Sequence, residues 1–286
     1  MTLHNFCAFG EPVKARRSKV FANEIDFFRY LSAFSHRAGP ALLVASAVFH
    51  FDTLNFAMSD GRRSVHYDPE EAIAALTDAD PKLGELIRRA GPFTMRLKSQ
   101  HSPFAALVES IIYQQIHGKA AFAILSRLLR AFGDIHPQPD HILAAPEEML
   151  RACGLSANKL KALRDLAAKT LDGTVPTLSR IRRMTDAEIV ERLTQVRGVG
   201  QWTVEMLLIF RLGRPDIFPV SDYGVRKGFL LTFGRPPKSK PITPAVLPKP
   251  DVMLRRAKKW QPWRSVASWY LWRACDLHGT ASPPPE

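Results

Sequence analysis

The chain has 286 residues, 46% of them hydrophobic, and 40 lysines and arginines against 27 acids give a formal charge of +13. That length allows one large or two ordinary domains with a real core, and the basic excess favours a polyanionic partner, either nucleic acid or an anionic membrane surface. The three widely spaced cysteines, Cys7, Cys153 and Cys275, exclude a disulfide framework and an all-cysteine iron–sulfur cluster, and no apolar run reaches the roughly 20 residues of a spanning helix.

Residues 1–67 mix a basic run (Lys14, Arg16, Arg17, Lys19) with scattered aromatics and no clean periodicity. They read as a small appended module or a poorly ordered extension, and Met58-Ser59-Asp60 is a plausible alternative start. The amino terminus lacks a charged-then-apolar signal pattern, so a cytoplasmic protein is expected. From Asp68 helical signals dominate. Asp68-Pro69-Glu70-Glu71 reads as N-cap, proline at the first helical position, then acids at the positive end of the dipole. Ser102-Pro103 opens a stripe at Phe104, Leu107, Val108, Ile111 and Ile112, interrupted at Gly118. A second stripe, Ala121, Ile124, Leu125, Leu128, Leu129 and Phe132, stops at Gly133. Pro146 starts a short helix. Ser156 caps another, with Leu160, Leu163, Leu166, Ala167 and Leu171 on one face.

Thr185-Asp186-Ala187-Glu188 is a capping box, and its helix carries Ile189, Leu193 and Val196 into the turn Val196-Arg197-Gly198-Val199-Gly200-Gln201-Trp202-Thr203. The spacing predicts a partner helix over Gln201–Leu212, an extended stretch over Asp216–Val220, and a helix over Tyr223–Phe233. Residues 235–250 read as a loop. Pro262 opens the last helix, with Trp263, Val266, Ala267, Tyr270, Leu271 and Ala274 on one face, and 281–286 reads as a frayed tail. Strand signals are sparse, so the expected class is all-α.

The turn is the most informative stretch. Gly198 and Gly200 allow a tight hairpin and a close approach to a ligand, and amides at the start of the next helix can hold a phosphate. Such a helix–hairpin–helix grips a DNA backbone without reading bases, and Arg197, Arg211, Arg214, Arg226 and Lys227 lie nearby in sequence. The competing reading is an ordinary αα-turn. Asp222 stands where a helix begins and is a favoured N-cap. In a functional reading the helix dipole keeps it ionised, and it faces a sugar, where it stabilises positive charge at the anomeric carbon or orients the attacking water. All five tryptophans fall at Trp202, Trp260, Trp263, Trp269 and Trp272. Trp269 and Trp272 point off the apolar stripe, either because the helix is buried on both faces or because they wall a pocket for a flat, cationic base. Tyr113-Gln114-Gln115-Ile116-His117-Gly118 marks a helix break whose glutamines either fill a gap in a base stack or are polar surface.

Together, Ile111–Ile116, Val196–Thr203, Phe218–Lys227 and Trp260-Gln261-Pro262-Trp263-Arg264-Ser265 resemble the helix–hairpin–helix (HhH-GPD) glycosylase superfamily of base-excision repair, and within it the bacterial DNA-3-methyladenine glycosylases II. The similarity spans roughly residues 85–275. It implies two helical subdomains with an interdomain active-site cleft: a discontinuous one of 68–118 and 225–277, and a bundle of 119–224 with the helix–hairpin–helix at 185–212, followed by a 278–286 tail. It implies that Asp222 is the catalytic carboxylate and that Trp202, Trp272, Met206 and Tyr113 line the base pocket. Gly198, Val199, Gly200, Gln114, Gln115, Arg197, Arg226 and Lys227 would contact DNA. Backbone groups of Thr194, Val196 and Val199 would hold a structural Na+ or K+. No cofactor is implied for the chemistry.

Relatives that also cut the strand carry a lysine where this chain has Trp202, so the implied enzyme is monofunctional, flips alkylated purines from double-stranded DNA and leaves an abasic site. Met206 replaces a pocket tyrosine of the bacterial relatives, and their amino-terminal α/β domain is not recognisable in 1–67. A monomer is expected. Two alternatives stand: a non-enzymatic DNA-binding module, and a glycosylase for oxidised or mismatched bases.

Overall fold

A computed structural model describes residues 64–98, 102–237 and 242–279, so almost all of the 1–67 segment and the 281–286 tail lie outside the described residues. Over the described residues the fold is all-α. Most helices start where a side chain satisfies the first amides. Asp68 caps α1 (Pro69–Ala79), accepting from Glu70 N at 2.8 Å. Ser102 caps α3 (Pro103–Tyr113) through Ala105 N at 3.0 Å. Ser156 caps α7 (Ala157–Leu171), and Thr185 with Glu188 forms both halves of the capping box of α9 (Asp186–Leu193).

Several boundaries differ from the sequence reading. Gly118 does not interrupt a helix but begins α4 (Gly118–Ala131), with His117 as its N-cap; the break falls one step earlier, at 114–117. The hairpin's second helix, α10, spans Gln201–Phe210, and the last helix, α13, begins at Arg264 rather than at Pro262. Helices α2 (Pro81–Ala90), α5 (Pro139–Ala144) and α12 (Pro250–Ala257) carry proline at their first position. With the four-residue α8 (Leu178–Ile181), they are short pieces held by tertiary packing rather than by a long apolar stripe. Between α5 and α7 lies α6 (Glu147–Ala152).

The packing that matters for the site runs through α11 (Tyr223–Phe233) and α13, the most closely associated pair among the described helices. Helix α13 also packs on α1 and α2, while α3 and α5 pack on α7 and α9 packs on α10. The α11–α13 contact is made by backbone: a Cβ at Gly228 would stand 1.9 Å from the Leu271 carbonyl oxygen. A second tie is Asp80, fully buried at the start of α2. Arg256 grips it with two bonds of 2.7 Å, and Lys259 Nζ and Trp260 Nε1 approach at 3.2 and 3.1 Å. Burial pushes the Asp80 carboxyl up, but these partners outweigh it and hold the group below the usual carboxylate range.

Candidate active site

The hairpin between α9 and α10 is braced from behind by α7. Asp165 Oδ2 accepts the Arg197 N–H at 2.7 Å, and Lys169 donates both to Asp165 at 2.8 Å and to the Gln195 carbonyl at 2.6 Å. Gly198 takes φ +77°, the left-handed region where a side chain is strained, and its Cβ position would already touch Ala162. The turn closes with Val199 N donating to Val196 O at 3.0 Å. Helix α10 then starts at Gly200 with no side-chain cap, unlike α1, α3, α7 and α9. Among the described residues no side chain caps the amides at this end, and an anion can take that place. Arg197, Gly198 and Gly200 are exposed there, whereas Val199 is buried and can offer only its backbone.

The two glutamines of the 114–117 break separate in role. Gln114 Nε2 donates to Gly198 O at 2.9 Å and reaches Thr203 Oγ1 at 3.5 Å. It is a strut between the break and the hairpin, not a side chain left free to fill a base stack. Gln115 is exposed and sits at φ +57°, a conformation a non-glycine residue rarely adopts. The tip of the loop is therefore Gln115.

Asp222 is the N-cap of α11, its Oδ1 accepting from Val225 N at 2.7 Å. The same oxygen accepts from Trp272 Nε1 at 2.8 Å, and Oδ2 accepts from Trp202 Nε1 at 2.9 Å. In the functional reading Asp222 faces a sugar; its side chain is only 4% exposed, clamped between an indole of the hairpin helix and an indole of α13. Its pKa is displaced upward rather than downward. Burial pushes the carboxyl up, and the N–H donors of Val225, Trp202 and Trp272 only partly offset that. Oδ1 serves both Val225 N and Trp272 Nε1, whereas Oδ2 serves Trp202 Nε1, so Oδ2 keeps the freer acceptor direction.

Trp272 is 3% exposed and lies 5.5 Å from the Phe210 ring, so it is a buried donor to Asp222 rather than a presented stacking surface. Trp269 is likewise buried, edge-on to Phe93 at 4.9 Å. Helix α13 is thus buried around most of its length, where α11, α1 and α2 pack against it. Trp202 is half-buried, and Met206, one turn on, is buried. Half-buried Tyr113 has its phenol pushed up to about 12 by burial and then by the Glu109 charge.

Among the expected DNA cations, Arg226 donates to Pro248 O at 3.3 and 3.2 Å, tying α11 to the loop before α12. Arg211 pairs with Glu109, and Arg214 reaches Met184 O at 2.8 Å and Asp186 at 3.3 Å. Lys227 is half-exposed, and Arg197 is the exposed one of the set. The three carbonyls of Thr194, Val196 and Val199 flank the turn; Val196 O accepts from Val199 N and retains a second lone pair. Neutral carbonyls are hard donors, suited to an alkali cation.

Sequence reasoning passed over Asp165, Lys169, Gly224, Gly228 and Glu205. The glycines carried a signal: an isolated glycine inside a helical pattern has a packing reason, and Gly224 and Gly228, four apart, share the face that meets α13.

Residues 108–248 match the family model of the HhH-GPD superfamily base excision DNA repair proteins. The chain is 34% identical over 225 residues to DNA-3-methyladenine glycosylase 1 of Schizosaccharomyces pombe, covering 76% of this chain and 95% of the relative. The structure of an S. pombe 3-methyladenine DNA glycosylase with abasic DNA superposes at a TM-score of 0.63 and 33% identity, covering 74% of this chain and 100% of that one. A DNA-3-methyladenine glycosidase from Bacillus halodurans superposes at 0.66 with 28% identity over 76% and 94% of the two chains.

Proposed function

The chain belongs to the HhH-GPD superfamily of base excision DNA repair proteins, and from that premise we infer that it is a DNA glycosylase that removes alkylated purines from duplex DNA and leaves an abasic site. The observation that carries the site assignment is the carboxylate clamp: Asp222 joined through Trp202 to the hairpin helix and through Trp272 to α13. A hairpin that holds a phosphate fixes the sugar next to it, so the clamp turns a backbone grip into placement of one negative charge at one anomeric carbon.

The steps follow from that arrangement. The uncapped start of α10 and Arg197 hold the DNA backbone, with Thr194, Val196 and Val199 as the carbonyls that would hold a monovalent cation sharing a phosphate. The damaged nucleotide leaves the stack, and Gln115 enters the gap. The glycosidic electrons depart with the base, which is already cationic and needs no strong general acid. Asp222, through Oδ2, stabilises the oxocarbenium-like sugar, and water completes the hydrolysis. Trp202 occupies the position where a strand-cutting relative needs an amine, and an indole N–H committed to Asp222 forms no Schiff base. We assign the enzyme to the type II alkylpurine glycosylases on the same reading.

The test is duplex DNA carrying a single 7-methylguanine, with free base and strand integrity measured together. Free base with an intact strand, cleaved only by later alkali, is expected. No release in a panel of alkylated lesions overturns the function, release confined to oxidised bases replaces the substrate class, and a borohydride-trapped covalent adduct overturns the role of Trp202.

Gln115→Gly separates the loop tip from the fold. Glycine adopts the left-handed conformation freely, so the variant should be about 1 kcal/mol more stable to urea. Without a side chain to occupy the gap, it should excise from duplex DNA about tenfold more slowly, since extrusion costs a few kcal/mol, while excision from single strands stays unchanged. An equal loss on both substrates would contradict the assignment.

A further inference from the structure

Glu205 is an acid in the middle of the apolar helix α10, one turn after Trp202 and therefore on the side of the helix whose indole holds Asp222. It is 6% exposed. Its Oε1 accepts from Gln201 Nε2 at 2.9 Å, and its Oε2 is out of solvent with no hydrogen-bond partner among the described residues. An ionised carboxylate does not stay in that setting without reason. Burial, and in smaller measure the charge of Asp222, pushes the group up to about 7, against the lowering effect of Gln201.

The groups around it do not neutralise it. Glu205 borders a groove of about 400 Å³ whose other charged walls are Asp186 and Glu191 from α9, Asp216 from the extended segment and Arg264 from α13. Arg264 is committed to Asp216 at 2.6 and 2.8 Å, and Arg214 to Asp186 at 3.3 Å. From α11 the group that Glu205 feels is Asp222.

We propose that Glu205 is a second, proton-switched carboxyl of the site: neutral, it leaves Asp222 as the sole negative charge beside the sugar, and ionised, it adds its own field and speeds cleavage of the glycosidic bond. It acts through space, as a residue that sets the potential at Asp222 and the sugar, not as one that touches substrate. The order of ionisation follows from the donors. Asp222 accepts from Val225, Trp202 and Trp272, whereas Glu205 accepts only from Gln201, so Asp222 ionises first and the last proton to leave is on Glu205. That proton goes to water across the groove. A second buried negative charge near a developing positive one is worth roughly tenfold in rate at an effective dielectric of about 20.

This inference rests on the glycosylase reading, and the experiment keeps the two apart. Single-turnover release of 7-methylguanine is followed from pH 5.5 to 8.5 for the wild-type chain, Glu205→Gln and Glu205→Met, with thermal unfolding and affinity for abasic duplex measured in parallel. The wild type should gain about tenfold across a limb centred near pH 7. Both neutral variants should lose that limb while keeping any more acidic limb of Asp222 and their affinity for abasic DNA. Each profile is internal to one protein, so a loss of overall activity through poorer packing does not imitate the result. A limb near pH 7 that survives in both variants, or a wild-type profile flat through that range, overturns the proposal while the enzyme still releases base. No base release by the wild type at any pH overturns instead the reading on which it rests.

Discussion

Asp222→Asn should release 7-methylguanine about a thousandfold more slowly than the wild-type chain while binding abasic duplex with nearly the same affinity. Removing one preorganised electrostatic partner of a transition state costs about 10²–10³ in rate, and a full charge opposed to a full developing charge sits at the upper end. In the proposed mechanism the hairpin, not the carboxylate, grips DNA, so affinity should survive. Stability should change little, for two opposing reasons. Burial raises the Asp222 carboxyl above its ordinary value near 3.8, so the folded protein holds that proton more tightly than the unfolded chain does. Stability is then lost as pH rises from about that value through the folded pKa, and asparagine, neutral at every pH, avoids that loss. Against this, one acceptor disappears. The asparagine oxygen can still serve Val225 N and Trp272 Nε1, but its amide nitrogen meets the Trp202 N–H donor to donor, at about 1–3 kcal/mol. Stopped or single-turnover kinetics, fluorescence anisotropy and urea melts measure the three quantities. Undiminished release would remove Asp222 from the chemistry. Loss of activity accompanied by unfolding would reduce it to a helix cap.

The parts of the site that could be read in advance are those set by neighbours in the chain. Thr185 with Glu188, and Gly198 with Gly200, carry their geometry within a few residues, and so does Asp222 as an N-cap. The orientation of a side chain set by distant packing could not be read in the same way. The helix period places Trp272 off the apolar stripe, which fits either a helix buried on both faces or an aromatic wall; α11 buries that face and turns the ring into a donor. Gln114 and Gln115 are the same residue type side by side, and only the left-handed backbone at Gln115, with the reach of Gln114 across to Gly198, tells strut from tip. Arg226 reads in sequence as one cation of a cluster, and only the return of the chain at Pro248 commits its guanidinium to a carbonyl. Glu205 was visible as a lone acid within Val204-Glu205-Met206-Leu207-Leu208, yet whether such a residue snorkels to water or stays buried depends on what packs against that turn.

Gly228→Ala should destabilise the chain by about 3–5 kcal/mol, because its obstacle is backbone. The added Cβ would lie 1.9 Å from the Leu271 carbonyl oxygen and 2.6 Å from its carbon, so no rotamer relieves the overlap and α11 has to move away from α13. Alanine's better helix propensity returns only about 1 kcal/mol. For a domain of this size the net loss corresponds to a fall of about 10 °C in Tm, readable by calorimetry or circular dichroism. Gly224→Ala, one turn earlier, supplies the contrast. Its Cβ would meet Trp272 side-chain atoms at 2.6 and 2.9 Å and Asp222 Oδ1 at 3.1 Å. A side chain can swing aside, so the fold should lose less, but the Trp272–Asp222 bond is what gives way. Gly224→Ala should therefore lose excision well before it loses stability, and Gly228→Ala should lose both together. If the two variants were equally stable and equally active, the close approach of α11 and α13 would not be what aims the carboxylate.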